Sequence, residues 1–203
     1  MSFLSFLRKS KNVSVIPLNG IIAPNMGRRK GLNLNEIDKN IEQAFSVKNL
    51  KAVALQINSP GGSPVQSEMI SQRIRSLSEK NNVPVLAFIE DVAASGGYWL
   101  ACSADEIFAS KASIVGSIGV VSSGFGFDKA IQKIGVERRL YTSGENKAIL
   151  DPFLAENKDD VKRLKSIQKE LHSQFIGFVK SRRGSKISVE NKEVFTGAFW
   201  SGE

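Results

Sequence analysis

The 203-residue chain holds one cysteine, Cys102, and one histidine, His172. A single thiol excludes an internal disulfide and any multi-cysteine metal site. The lone histidine lies midway along a long charged helical repeat, on its polar side, so a hydrolase of the Ser-His-Asp type lacks its base. No apolar run approaches the roughly 18 residues of a transmembrane helix. The stretch Met1–Ser10 is too short for a secretory signal, and its positive charge follows the apolar part, the reverse of that pattern. That stretch reads as a short amphipathic anchor or a frayed end. Neither glycine-rich turn runs into Gly-Lys-Ser/Thr, and no G-x-G-x-x-G opens a helix after the first strand, so there is no phosphate loop and no dinucleotide fingerprint. Internal repeats and low-complexity segments are absent too. Nothing in the composition calls for a metal or a cofactor.

Charge is present mainly in one sign: 28 Lys and Arg against 20 Asp and Glu, a formal net charge of +8. The basic residues gather at Arg8, Lys9 and Lys11, at Arg28 to Lys30, and in the runs 158–169 and 180–186. Little aromatic interleaving accompanies them, so they read as solvated faces with a weak attraction to anionic surfaces, and nucleic acid is not an expected partner. The length suits one domain with an arm, residues 1–12 and 13–203, and is enough for a substantial core.

Along the chain, strand and helix patterns alternate. Val13–Leu18 reads as a strand, followed by the Asn19-Gly20 turn, with Ile21 and Ile22 extending the sheet. Leu34, Ile37, Ile41, Ala44 and Phe45 lie at helical spacing, capped by Asn33 with Glu36 three residues on. Lys51–Ile57 is a second strand. Ser63, Pro64 and Gln66 mark the start of a helix carrying Val65, Met69, Ile74 and Leu77 to about Lys80. Val83–Ile89 is a third strand, with Asp91 on the turn after it. Asp105–Ala109 and the region Ser113–Val121 read as short strands with a tight loop, Phe127–Ile134 as a short helix, and Val136–Thr142 as a further strand. A long helix runs from Glu156 to about Ser181 with Val161, Leu164, Ile167, Leu171, Phe175 and Phe178 on its apolar side, stopping before Gly184. Connections are too long for hairpins, which argues an α/β domain with a largely parallel sheet.

Two glycine turns carry the chemistry. Asn58-Ser59-Pro60-Gly61-Gly62 ends one strand, and Ala94-Ser95-Gly96-Gly97 ends the next; both lead into helices. Free N–H groups at a helix start can hold an oxyanion, which a nucleophilic serine generates on attacking a carbonyl. Ser95 reads either as that nucleophile or as a side-chain helix cap. If it is a nucleophile, the base is a lysine, because a desolvated neutral amine can take its proton. The residues alone do not select which lysine.

The ordered set Ile57–Gly62, Ala93–Tyr98, Val115–Val120 and Ser143–Lys147 resembles the signal peptide peptidase A family, S49-type serine peptidases of the ClpP/crotonase fold. The resemblance covers roughly Val13 to Gly202. It implies Ser95 as nucleophile, Lys147 as general base 52 residues later, Ser117 as the hydroxyl that orients the lysine, and the N–H groups of Gly62 and Gly96 as the oxyanion hole. It implies peptide or protein substrates with small or apolar side chains, such as signal-peptide remnants, binding as an added strand at a sheet edge near Asn58–Gly62. It implies homo-oligomers, some of which build a site from neighbouring subunits. Many members carry an N-terminal membrane anchor; none is expected here, and the expected location is cytoplasmic or peripheral at a membrane. The family continues past the segment matching Phe195–Gly202, so a trimmed C-terminus is expected. Two other readings compete: a crotonase-type acyl-CoA enzyme, for which Asp91 is the nearest carboxylate, and a non-catalytic scaffold at a membrane or partner surface.

Overall fold

A computed structural model describes residues 11–25, 30–187 and 192–203. The proposed N-terminal anchor at 1–10 and much of the Arg28–Lys30 run lie outside the described residues. The chain divides into two compact units, one formed by residues up to Gly119 together with Phe175–Glu203, the other by Val120–Gln174.

The first unit is built on a mostly parallel sheet. Strand β1 (Asn12–Asn19) alternates side chains, sending Ile16 and Leu18 into the core. Helix α1 (Leu34–Phe45) starts where expected: the Asn33 side chain accepts from the Glu36 N–H, and Ile41, Ala44 and Phe45 are buried. Strand β2 (Leu50–Ser59) pairs in parallel with β1, Ile16 opposite Leu55 and Asn19 opposite Asn58. Buried on both faces along much of its length, it reads as a near-continuous apolar run.

Helix α2 (Pro64–Asn81) is capped by Ser63, whose hydroxyl accepts from Gln66 N–H at 3.4 Å. The reciprocal half of the capping box is not made. Gln66 Oε1 instead accepts from Leu34 N–H at 3.0 Å, joining the starts of α1 and α2. The buried face of α2 is Ser67, Ile70, Ser71, Ile74 and Ser78. Val65 and Met69, expected on that face, are exposed. Small serines win the inner face because the helix lies close to its neighbours: Ser71 Oγ donates to Trp99 O and Ser78 Oγ to Val83 O.

Strand β3 (Val85–Ala94) runs five residues past the expected end and reaches Ser95 directly, so Asp91 sits in a strand rather than on a turn. It pairs in parallel with β2, then helix α3 (Gly96–Cys102) begins at once. Strands β4 (Glu106–Ala109) and β5 (Ile114–Gly116) both pair in parallel with successive parts of β3.

The second unit contains helix α4 (Asp128–Lys133) and the start of helix α5 (Lys158–Arg183). Phe127 packs its ring between Phe125 and Phe153, at centroid distances of 5.9 and 5.6 Å, and Arg138 lies over Phe153 while pairing with Asp151. The strand expected at Val136–Thr142 does not form. β-Propensity is realised only against a partner strand, and in the structure this segment is paired with none; Arg138 and Arg139 turn to Asp151 and Glu137 instead. None of the residues Val120–Gln174 is buried.

The end of α5 returns to the first unit. Its buried residues are Phe175 and Val179, while Ile167 on the expected apolar side is half exposed. Phe175 and Phe178 stack on Trp99, centroids at 4.7 and 5.3 Å. His172 is half-buried and engaged with a partner. Arg182 donates to the Cys102 and Ala104 carbonyls at the end of α3, and to Asp105, which also accepts from Arg75 and from Val85 N–H. This clip ties α2, α3, α5 and the start of β3 together. Last, strand β6 (Phe199–Ser201) pairs antiparallel with β5, giving the order β1-β2-β3-β5-β6 with β4 also on β3. The α/β architecture with a largely parallel sheet and flanking helices is therefore the one expected.

Candidate active site

Ser95 occupies the point where β3 becomes α3. Its backbone is at φ 52°, ψ −121°, outside the left-handed helical basin that non-glycine residues visit. Such a conformation costs about 1–3 kcal/mol and persists only when its surroundings hold it. Here the Ser95 N–H donates to Gly116 O at 2.8 Å and its carbonyl accepts from Trp99 N–H at 3.0 Å. The cap position is thus taken by backbone alone: the Ser95 side chain makes no cap hydrogen bond. The helix-cap reading of this hydroxyl falls away, and Oγ is left uncommitted.

The Gly61-Gly62 turn lies against this corner. A Cβ placed on Gly61 would stand 2.7 Å from Gly96 N, and one on Gly96 would stand 3.3 Å from Gly62 N and 2.4 Å from Ser67 Oγ. The two turns therefore touch through backbone that side chains would hold apart. Ile22 straps the first turn: its N–H donates to Gly61 O at 2.9 Å, and its carbonyl accepts from Ser63 N–H at 2.7 Å. Gly62 takes φ 145° beneath that carbonyl, a conformation that excludes any side chain. Ser59, fully buried, donates from Oγ to Gly20 O and accepts from Gly61 N–H, fixing the turn from below. Neither the Gly62 nor the Gly96 N–H has a hydrogen-bond partner among the described residues. Two free donors thus sit beside one uncommitted hydroxyl.

Ser117 follows Gly116, whose partner across the ladder is Ala94, so it stands one step along from the strand end that carries Ser95. It is half-buried at φ 55°, and its N–H donates to Ala198 O at 2.7 Å. Trp200 covers Gly116 so closely that a Cβ there would lie 2.8 Å from the indole ring. The C-terminal strand therefore holds the Ser117 turn, a role that the sequence signalled only as Phe195–Gly202 in the family pattern. Ser95, Gly62, Gly96 and Ser117 all belong to the first unit. Lys147 belongs to the second, exposed on a turn that its own N–H closes onto Gly144 O at 3.2 Å.

Other positioning residues were not legible as such: Gly61, Gly97, Ile22 and Ser67 act through contacts between segments far apart in the chain. Asn58 pairs with Asn19 of β1, Ser59 with Ala93 of β3, and Gly62 bridges to Ile22. Asp91 accepts from Asn58 Nδ2 at 2.8 Å and is an exposed strand residue. Within α3, burial pushes the Cys102 thiol up to about 12, with the Arg183 charge acting the other way, and raises the neighbouring Tyr98 phenol as well. Cys102 is fully buried, as a core residue should be. Among the described residues no cluster of His, Cys, Asp and Glu forms a metal site, and no helix is long and apolar enough to cross a membrane.

Comparison with known proteins bears on this geometry. The chain is 50% identical over 191 residues to a Brucella melitensis protein named Na(+)/H(+) antiporter NhaA, a match covering 94% of this chain and 26% of that protein. It is 32% identical over 196 residues to Protease 4 of Haemophilus influenzae, covering 94% of this chain and 30% of that protein. It is 32% identical over 171 residues to the chloroplastic serine protease SPPA of Arabidopsis thaliana, covering 83% and 24% respectively. The chain thus spans less than a third of each of these relatives. The model of peptidase family S49 matches residues 78–203, a span that holds Ser95, Gly96, Ser117 and Lys147. With more than half of its length so matched, the chain belongs to peptidase family S49.

Proposed function

We propose that the chain is a serine peptidase domain that cleaves peptide bonds by acyl transfer from Ser95. The observation that carries this is the Ser95 corner: a hydroxyl freed from capping, on a backbone held in a costly conformation, beside two unpartnered N–H groups on touching glycine turns. In this reading Lys147, as the neutral amine, takes the Ser95 proton while Oγ attacks the substrate carbonyl. The N–H groups of Gly62 and Gly96 hold the oxyanion. The protonated amine then gives its proton to the leaving nitrogen as the C–N bond breaks, and a water activated by the same amine releases the acyl group. Ser117 orients that amine by hydrogen bonding. One oxyanion donor is worth about 3 kcal/mol of transition-state stabilisation. Substrates are signal-peptide remnants or other small membrane-derived or unfolded peptides.

The reading requires the unit carrying Lys147 to bring its amine to Ser95, in the same chain or from a second copy. A homo-oligomer is part of the proposal. The unit Val120–Gln174 buries none of its residues and exposes Val121, Phe125, Ile134 and Tyr141 to between 74% and 90%. A 55-residue unit that buries none of its residues is marginal by itself, which favours a second copy packed on it. Hydrolysis of fluorogenic apolar peptides, with mass mapping of a fluorophosphonate adduct, tests the roles. Ser95→Ala should lose both cleavage and adduct, and Lys147→Ala should lose cleavage. A Lys147→Ala protein as active as wild type would remove the lysine from the mechanism, and an adduct elsewhere would remove Ser95.

A further inference from the structure

The start of α5 carries a feature that catalysis does not use. Lys158, Lys162, Lys165 and Lys169 are separated by four, three and four residues, so they fall on one line along the helix, about 17 Å long. All four are exposed. None forms an ion pair among the described residues. At about 100° per residue, the acids of this helix, Asp159, Asp160 and Glu170, lie about 90° or more around from the centre of the stripe. Its nearest flanks are Val161, Ser166, His172 and Ser173, none of them an acid. The apolar side of the helix, with Leu164, Leu171, Phe175 and Phe178, points well away from it.

This arrangement works against the helix that carries it. Like charges at i,i+3 and i,i+4 destabilise a helix, and Lys158 places a positive charge in its first turn. A face that had only to stay wet would mix the signs, as α2 does with Arg75 and Glu79. An unmixed line of flexible ammonium groups is complementary to an extended anionic surface. The side chains are lysine rather than arginine, and no aromatic ring stands among them to stack on a base. That favours a lipid surface over nucleic acid.

We propose that the Lys158–Lys162–Lys165–Lys169 stripe docks the protein on an anionic lipid bilayer. Contact is peripheral and reversible, and is made whether or not the protein is a peptidase. Each lysine near such a surface changes partitioning about fivefold, so four together account for a factor on the order of several hundred.

Cosedimentation of the full chain with phosphatidylcholine vesicles, with and without phosphatidylglycerol, tests this. Wild type should bind only the anionic vesicles, and less as salt shortens the screening length. The variant Lys158→Gln/Lys162→Gln/Lys165→Gln/Lys169→Gln keeps helix-forming side chains and should lose binding by that several-hundredfold factor, with an unchanged circular dichroism spectrum. A matched variant, Lys39→Gln/Lys48→Gln/Lys51→Gln/Lys80→Gln, removes the same charge elsewhere and should retain most binding. Equal loss in the two variants would reduce the effect to net charge and overturn the stripe. So would loss of binding on deleting residues 1–11 while the four-glutamine stripe variant still binds, or binding to duplex DNA but not to vesicles.

Discussion

Gly97→Ala tests the geometry of the site most directly. A Cβ at Gly97 would stand 2.3 Å from Ser59 O, where ordinary contact begins at 3.4 Å. Both partners are backbone, so neither can rotate away; the start of α3 must retreat from the end of β2 by about 1 Å. Overpacking of this kind costs about 1–3 kcal/mol, and the better helix propensity of alanine returns at most about 1 kcal/mol. The melting temperature should fall by about 2–4 °C for each net kcal/mol lost. The same retreat carries Ser95 and Gly96 away from the Gly61-Gly62 turn. A misplacement near 1 Å costs about a hundredfold in turnover, so kcat/KM should drop far more than stability does. Gly177→Ala is the matching control. Gly177 sits within α5 with nothing inside 4 Å of the added Cβ, and the variant should gain up to about 1 kcal/mol with unchanged activity. A Gly97→Ala protein as stable and as active as wild type would refute the close approach of the two turns.

Other consequences follow from the same packing. Burial pushes the Asp105 carboxyl up, but Val85 N–H, Arg75 and Arg182 outweigh it and hold it below its ordinary value of 3.8. Its stabilisation is therefore full above that value and is lost as pH falls through the lower folded value. With 39% of the side chain exposed, screening limits it to about 1 kcal/mol. Urea midpoints of wild type and Asp105→Asn should differ at pH 7 and converge below pH 3.8; a constant gap would place the effect elsewhere. Phe175→Ala removes a ring 3% exposed from its stack on Trp99 and should cost about 3–5 kcal/mol in urea unfolding. A loss under about 1 kcal/mol would mean that this pair is not a core. Cys102, with its thiol pushed up to about 12 by burial, should resist iodoacetamide in the native state and react once urea unfolds the protein. Rapid native labelling would contradict its burial.

What the sequence determined by itself was local. The Asn33 and Ser63 caps, the alternation of strand and helix, the stop at Gly184 and the two glycine turns each rest on near neighbours in the chain, so periodicity and turn chemistry expose them. The tertiary structure decided what distant segments do to one another. It set which face of α2 is buried, because close neighbours select serine over Val65 and Met69. It denied a strand to Val136–Thr142, because the segment pairs with no neighbour. It extended β3 to Ser95, because β5 supplies a ladder for Val92 to Ala94. It also turned Ser95 from a plain cap into an uncommitted hydroxyl. The sequence can name a serine before two glycines; the Gly116 carbonyl, reached across the sheet, together with the Trp99 N–H, holds that serine at a positive φ with its side chain free.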